Sequence, residues 1–218
     1  SYSVTGVQTC ALPIYALSNF DKYEKNPLKG KILLEKAKLS HSIFGSEQAL
    51  SDTEQLIDYA IKIDNIPLKI EGELFISSLF IEMGELEKAL DILYTILEST
   101  QRTNNYSAAA KTYVILGSLF DDLRYKEKAI EFFKKAIELF EKENDYFNKT
   151  TTLLLLTKLF LDNDMISDAN NSALQAYNYS TEYNYNELIP FCDLYKGILI
   201  THEEKYDTAI TILKKVQK

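Results

Sequence analysis

The residue types that most often carry out catalysis are sparse in this sequence. It has two histidines, His41 and His202, and two cysteines, Cys10 and Cys192. A catalytic histidine needs a nucleophile or carboxylates placed around it. The sequence shows no serine-centred elbow, no metal-type histidine pair and no glycine-rich phosphate loop. We therefore predict no enzyme activity, no metal site and no cofactor, and we expect both histidines to lie on the surface.

Cys192 could be a reactive thiol, because a thiolate is the nucleophilic form of cysteine. It lies beside Phe191 and has no basic neighbour in the sequence that would lower its pKa. We therefore expect a small packed residue rather than a nucleophile.

The first fourteen residues look foreign to the rest of the chain. Residues 4–14 read VTGVQTCALPI, which resembles the translation of a common sequencing-library adapter. The segment has neither a basic start nor an apolar core of useful length, so it does not read as a signal peptide. We therefore treat residues 1–14 as a non-native segment. Cys192 is then the one native cysteine, which fits a reducing, cytoplasmic location.

Composition excludes several classes of partner. The chain has 24 Lys and Arg residues against 32 Asp and Glu, which gives a net charge of −8. An acidic surface argues against direct nucleic-acid binding, which needs a basic stripe. No apolar run approaches the roughly 18 residues of a membrane span. Glycine and proline are scarce, with seven and four residues, which favours helices.

Repetition is the strongest signal in the chain. Small residues recur every forty positions in two columns, and leucine recurs at 39, 79, 119, 159 and 199. The two columns are Ala37, Ser77, Gly117, Thr157 and Gly197, and Ala49, Ala89, Ala129, Ala169 and Ala209. A period of this length predicts an array of one repeated supersecondary unit.

The unit is predicted to be a pair of helices. Residues 106–123 and 125–145 both carry apolar residues at helical spacing, and Arg124 with its neighbours separates the two runs. Gly117 and Ala129 are small where the two helices should approach most closely. Each pair must stack on the next to bury its apolar face.

This pattern resembles the tetratricopeptide repeat, whose consensus has an aromatic residue, then Leu-Gly, Tyr, Ala, Phe and Ala at these spacings. The residues that carry the resemblance are Tyr113, Leu116, Gly117, Phe120, Ala129, Phe133 and Ala136. It implies an all-α, right-handed superhelix of antiparallel helix pairs. The period of 40 departs from the usual 34 of the family, so the helices or the loops must be longer.

The columns divide the chain into about five copies. We expect a remnant of an earlier second helix at residues 15–26, and then an array at 27–218. Its copies are 27–65, 66–105, 106–145, 146–185 and 186–218. The last copy ends inside an apolar stretch with no stop signal, so we expect it to be truncated and able to self-associate.

The resemblance also implies a ligand groove lined by the first helix of each pair. The positions that match it are Lys31, Leu34, Lys38, His41, Glu71, Leu74, Ser78, Lys111, Val114, Ser118, Asp122, Thr151, Leu154, Lys158, Asp162, Leu194, Ile198 and His202. The aliphatic column at 34, 74, 114, 154 and 194 is either core or an apolar stripe suited to a peptide. A tyrosine-rich stretch, at 177, 179, 183 and 185, is either a binding patch or the packed end of a helix.

The function expected from the resemblance is a scaffold that binds a peptide or protein segment. Its role would be the sensor or adaptor part of a larger bacterial regulatory protein, such as a transcriptional regulator or a kinase. Two alternatives stay open. One is a structural adaptor of a secretion or assembly machine, and the other is a repeat-bearing fragment of an enzyme whose catalytic domain is missing.

Overall fold

The computed structural model describes residues 27–202, Thr208, Ile210 and residues 212–214. The expectations for residues 1–14, for the helix remnant at 15–26, for Ala209 and for the chain end concern residues that lie outside this range. Across residues 27–202 the chain forms nine α-helices and no strand, and the described residues after 202 are also helical. They are α1 Pro27–Phe44, α2 Ser46–Lys62, α3 Ile66–Glu82, α4 Leu86–Thr103, α5 Tyr106–Asp122, α6 Lys126–Lys142, α7 Tyr146–Asp162, α8 Ile166–Glu182 and α9 Ile189–His202.

The chain divides into two compact units, Ser1–Arg102 and Thr103–Lys218. In the first unit, α1 packs on α2, α2 packs on α3, and α1 also touches α3. In the second unit, each helix from α5 to α9 packs on the next one. There α5 also touches α7, and α7 touches α9. The first helices of neighbouring pairs therefore lie side by side, as expected for stacked helix pairs, and the all-α prediction is confirmed.

Helix length accounts for the forty-residue period. Helices α5, α6, α7 and α8 each contain 17 residues. Three turn residues separate α5 from α6, and three separate α6 from α7. Each helix with its turn therefore spans twenty residues, and the two kinds of turn in the array have the same length. The extra length relative to the usual repeat lies in the helices.

The helices end at residues with positive φ that recur every twenty positions. These residues are Asp64, Gly84, Asn104, Arg124, Asn144, Asp164 and Asn184. Around Arg124, the amide of Tyr125 donates to the carbonyl of Phe120, and the amide of Arg124 donates to Asp121. These two bonds form a Schellman motif, which satisfies carbonyls left open at a helix end. The side chain of Tyr125 also packs edge-on against Phe120, with ring centroids 6.0 Å apart.

The first helices of three pairs begin at a side-chain cap. Asn65, Asn105 and Asp145 lie forty residues apart, and each accepts a hydrogen bond from the amide three residues later. Such a cap satisfies one of the open amides of a helix start. Tyr185 occupies the equivalent position before α9, where tyrosine cannot cap in this way. Helix α9 begins at Ile189, three residues later than the period predicts.

The small-residue columns form the contact between the two helices of a pair. Ala37, Ser77 and Thr157 are fully buried, as are Ala49, Ala89, Ala129 and Ala169. A Cβ atom added at Gly117 would lie 2.7 Å from the ring of Phe133 on α6. The predicted close approach of the two helices at Gly117 is confirmed, and bulky side chains such as Phe133 and Phe140 fill the space around it.

Candidate peptide-binding surface

An accessible stripe runs along the first helix of each pair, and we call it the first-helix face. In the first unit its members are Lys31, Glu35, Lys38 and Ser42 on α1, and Glu71, Phe75, Ser78 and Glu82 on α3. In the second unit they are Lys111, Ile115, Ser118 and Asp122 on α5, Thr151, Leu155, Lys158 and Asp162 on α7, and Phe191, Leu194, Ile198 and His202 on α9. All are exposed or half-buried, and their spacing of three and four residues marks one side of a helix.

The aliphatic column predicted for the groove belongs largely to the core. Leu74 and Leu154 are each only 7% exposed, so they cannot present an apolar stripe. Leu34 packs against the cluster that contains Leu56, and Val114 packs against Ala136 and Phe140. Leu194 is the exception at 36% exposed.

The accessible apolar side chains lie one residue later along three of the helices. Phe75, Ile115 and Leu155 are half-buried, and each follows a member of the predicted column. Sequence reasoning missed Leu155 because α7 has four consecutive leucines at 153–156. Such a run does not show which side of the helix faces solvent. Leu154 belongs to the core cluster that also contains Ala176 on α8 and Cys192 on α9.

The polar positions predicted for the groove are accessible, and several of them form local hydrogen bonds or ion pairs. Lys38 donates to Glu35, with 2.7 Å between Nζ and Oε1. His41 lies 2.6 Å from Glu82, a residue of the next first helix, and its ring packs edge-on against Phe75. Ser78 donates to the carbonyl of Leu74 within its own helix. A role of these residues in binding remains a prediction.

Lys158 is a fixed positive charge in the middle of the second unit's first-helix face. Its Nζ atom lies 2.8 Å from a carboxylate oxygen of Asp162 and 3.8 Å from one of Asp121 on α5. The hydrogen bond to Asp162 raises the pKa of Lys158, so the ammonium stays charged. Burial raises the pKa of the neighbouring Tyr195, which therefore stays neutral. The face offers an ammonium, carboxylates and apolar side chains within one unit.

The tyrosine-rich stretch separates into packed and exposed residues. Tyr177 and Tyr179 pack against the core cluster that contains Ala176 and Cys192. Tyr183 is 38% exposed, in the turn between α8 and α9. Tyr185 also packs against this cluster, so most of the stretch is packed, and a binding role for Tyr183 remains a prediction.

Cys192 is packed inside the second unit. It is buried, and its Sγ atom lies 3.5 Å from the hydroxyl of Ser180. Burial raises the pKa of the thiol, so the reactive thiolate is disfavoured.

The described residues contain no group of three or more His, Cys, Asp or Glu side chains that could hold a metal ion. Among the helices that the structure describes, none is long and apolar enough to cross a bilayer.

The repeat is also recognised by comparison with known proteins. Residues 110–143 match the family model described as tetratricopeptide repeat. No curated protein matches the chain.

Several solved structures share the fold at low sequence identity. A Rap protein complexed with Competence and Sporulation Factor has a TM-score of 0.78 and 17% identity, over 98% of this chain and 60% of that one. The apo form of RapI has a TM-score of 0.70 and 16% identity, over 97% of this chain and 75% of that one. BtubC from P. vanneervenii has a TM-score of 0.75 and 12% identity, over 98% and 89%. Identities this low show a common fold and nothing more. The chain is therefore built of tetratricopeptide-like helix pairs, and residues 110–143 are a tetratricopeptide repeat.

Proposed function

We propose that the chain is a non-catalytic scaffold that binds a segment of another protein along its first-helix faces. The observation that carries the proposal is the face of the second unit. There the apolar side chains Ile115, Leu155 and Leu194 remain accessible around the charged pair of Lys158 and Asp162. Apolar anchors beside fixed polar groups suit an extended or helical segment.

The similar structures support a binding role. One of them is a Rap protein in complex with Competence and Sporulation Factor, so a chain of this fold holds a partner in that case. Arrays of this repeat are typically scaffolds rather than catalysts. We therefore propose that the partner of this chain is a protein or a peptide, and that the chain works in the cytoplasm without a cofactor.

The biological role that we propose is sensing or adapting within a larger bacterial regulatory protein. The chain spans 60% of the length of the Rap protein it resembles. The alternatives are a structural adaptor of an assembly or secretion machine and a repeat segment of an enzyme. The reading frame on either side of this chain distinguishes them, because a regulatory output domain, a catalytic domain or neither would be encoded there.

The binding face can be tested with a random peptide library displayed on phage and selected on the full chain. Peptides recovered on the wild type should bind Leu155→Gln and Lys158→Glu at least about tenfold more weakly, a loss of roughly 1.4 kcal/mol. Lys134→Glu provides the matched control, because Lys134 is exposed on the second helix α6 and the charge change equals that of Lys158→Glu. If the recovered peptides bind all three variants as they bind the wild type, the first-helix face is not the site.

A further inference from the structure

Five aromatic rings form a ladder at one edge of the second unit, where the turns before α7 and α9 meet. Tyr146 stacks on Tyr183 with ring centroids 4.6 Å apart, and Tyr183 stacks on Tyr185 at 5.8 Å. Phe147 meets Tyr185 edge-on at 5.2 Å. Tyr179 stacks on Tyr146 at 5.6 Å and forms the inner end of the ladder.

The inner end of the ladder already holds a cation. Lys149 is buried, and its Nζ atom lies 4.2 Å from the ring centroid of Tyr179. The same ammonium donates to the hydroxyl of Tyr179 at 2.6 Å and pairs with Glu141. These contacts show that the rings can accommodate a positive charge by cation–π attraction.

The outer end of the ladder carries rings without such a cation. Tyr183 is 38% exposed and Phe147 is 37% exposed. Within residues 27–202, no ammonium or guanidinium lies over the rings of Tyr183, Tyr185 or Phe147. Desolvation and the carboxylate of Glu182 raise the pKa of Tyr183, while desolvation, Asp145 and Glu187 raise that of Tyr185. Carboxylates of Glu182, Asp145 and Glu187 thus act on the phenol groups of these two tyrosines.

In the preceding copy of the repeat, a lysine of the chain itself lies over the aromatic ring at this edge. Forty residues before Tyr146 lies Tyr106, and the ammonium of Lys142 sits 3.6 Å from the centroid of its ring. The position equivalent to Lys142 in the next copy is Glu182. The carboxylate of Glu182 thus stands where the preceding copy has the ammonium of Lys142. This is the copy whose edge is richest in aromatic rings.

Tyr185 departs from the capping pattern of the array. The three equivalent positions that precede it, at 65, 105 and 145, carry Asn or Asp caps. Tyr185 forgoes the cap, and α9 begins late. In place of the cap, the ring of Tyr185 packs against the core cluster that contains Cys192 and contacts Tyr183 and Phe147 in the ladder.

We propose that the outer end of the ladder, formed by Tyr183, Tyr185 and Phe147 with the carboxylates of Glu182 and Glu187, is a docking site for an arginine side chain of a protein partner. The planar guanidinium stacks on aromatic rings and pairs with carboxylates, whereas a lysine ammonium is more strongly hydrated. The site lies at the turn edge of the array, and its assignment does not depend on binding along the first-helix face.

The test uses the full chain and an acetylated, amidated nonapeptide, (Gly-Ser-Arg)₃. Two matched peptides carry lysine or the neutral arginine analogue citrulline in place of arginine. Calorimetry should show that the arginine peptide binds about fivefold more tightly than the lysine peptide and at least about tenfold more tightly than the citrulline peptide. The ring resonances of ¹³C-labelled tyrosine should shift most at Tyr183 and Tyr185.

The most informative variant is Glu182→Lys. It places a lysine at the position equivalent to Lys142, and the ammonium of this lysine should lie over the ladder. We expect it to weaken the arginine peptide at least about tenfold while the helical circular dichroism is unchanged. Glu138→Lys on α6 makes the same change in net charge at an exposed position away from the ladder, and it should leave the affinity within about twofold.

Three outcomes would overturn the proposal. Equal affinity for the arginine and citrulline peptides would show that no cation is recognised. Equal weakening by Glu182→Lys and Glu138→Lys would show that only net charge matters. No binding of the arginine peptide up to about 30 mM would exclude the site, because that limit corresponds to only about 2 kcal/mol, no more than one cation–π contact.

Discussion

Gly117 on α5 lies directly against the ring of Phe133 on α6. A Cβ atom at position 117 would come within 2.7 Å of two ring carbons, closer than packed side chains normally allow. Phe133 is itself 1% exposed, so its ring has no free space into which it could turn.

Gly117→Leu is therefore expected to be strongly destabilising. Overpacking of this kind typically costs about 1–3 kcal/mol in the free energy of unfolding. Urea denaturation followed by circular dichroism measures the change. Lys134→Leu, on the exposed side of α6, should change stability by less than about 0.5 kcal/mol. Equal stability of the two variants would show that the helix contact has been misassigned.

Gly117 and Phe133 represent a pairing that recurs at a separation of sixteen residues. The residues at this separation are Ala37 and Thr53, Ser77 and Leu93, Gly117 and Phe133, Thr157 and Ala173, and Gly197 and Leu213; at both glycines an added Cβ atom would meet the second residue. Copies two, three and five place a small residue on the first helix and a large one on the second, whereas in copy four the larger residue, Thr157, lies on the first helix. The double variant Gly117→Thr with Phe133→Ala should therefore lose less free energy of unfolding than the sum of the losses of the two single variants. A coupling free energy of about 1 kcal/mol or more in a double-mutant cycle is expected, and strict additivity would refute the pairing.

The side-chain caps of the first helices should each contribute measurably to the free energy of unfolding. Asn105→Ala and Asp145→Ala remove the oxygens that accept from the amides of Ala108 and Asn148. Each change should cost about 1 kcal/mol. Asn105→Asp keeps an acceptor oxygen and should restore most of the loss. Thermal and urea denaturation of these three variants measure the effect, and an Asn105→Ala variant as stable as the wild type would contradict it.

The left-handed turn positions predict opposite effects at two sites. Arg124 has φ of 64°, which is unfavourable for a residue with a side chain, whereas Gly84 has φ of 78° with no atom within 4 Å of an added Cβ. Arg124→Gly should stabilise the chain by up to about 1 kcal/mol, because glycine adopts this positive φ without steric strain. Part of the gain is lost because glycine gives the unfolded chain more conformational freedom. Gly84→Ala should destabilise it by roughly 1 kcal/mol for the same reason. Changes of the same sign at both sites would contradict this account.

The buried thiol of Cys192 should make stability depend on pH in the alkaline range. Burial raises its pKa in the folded chain above the unfolded value. Folding therefore favours the neutral thiol. The contribution of the thiol to the free energy of unfolding is complete below its unfolded pKa and declines as the pH rises through its folded pKa. In a Cys10→Ser background, urea denaturation should show a fall in stability above about pH 8.5 that Cys192→Ala reduces. Rapid reaction of native Cys192 with a thiol reagent at pH 7 would show that the side chain is not buried.

The repeat and its helix pairs could be predicted from the sequence because their signals are local or periodic. A helix contact that must stay narrow requires a small residue in every copy, so Gly117 and Ala129 stand out in columns. The column of turn residues at 64, 84, 104 and onward was equally available, and it marks the twenty-residue helix unit that we had not predicted.

The surface features required the tertiary structure. In the run of leucines at 153–156, the sequence does not distinguish Leu154 from Leu155. Packing of α7 against α8 and α9 buries Leu154 and leaves Leu155 accessible. Tyr146 and Tyr183 lie at the two ends of one helix pair in the sequence, and they stack only because α7 packs on α8. Helix period and turn chemistry are properties of neighbouring residues and can be predicted from the sequence. Which side of a helix faces solvent, and which distant rings meet, depends on the atoms that neighbouring helices bring into contact.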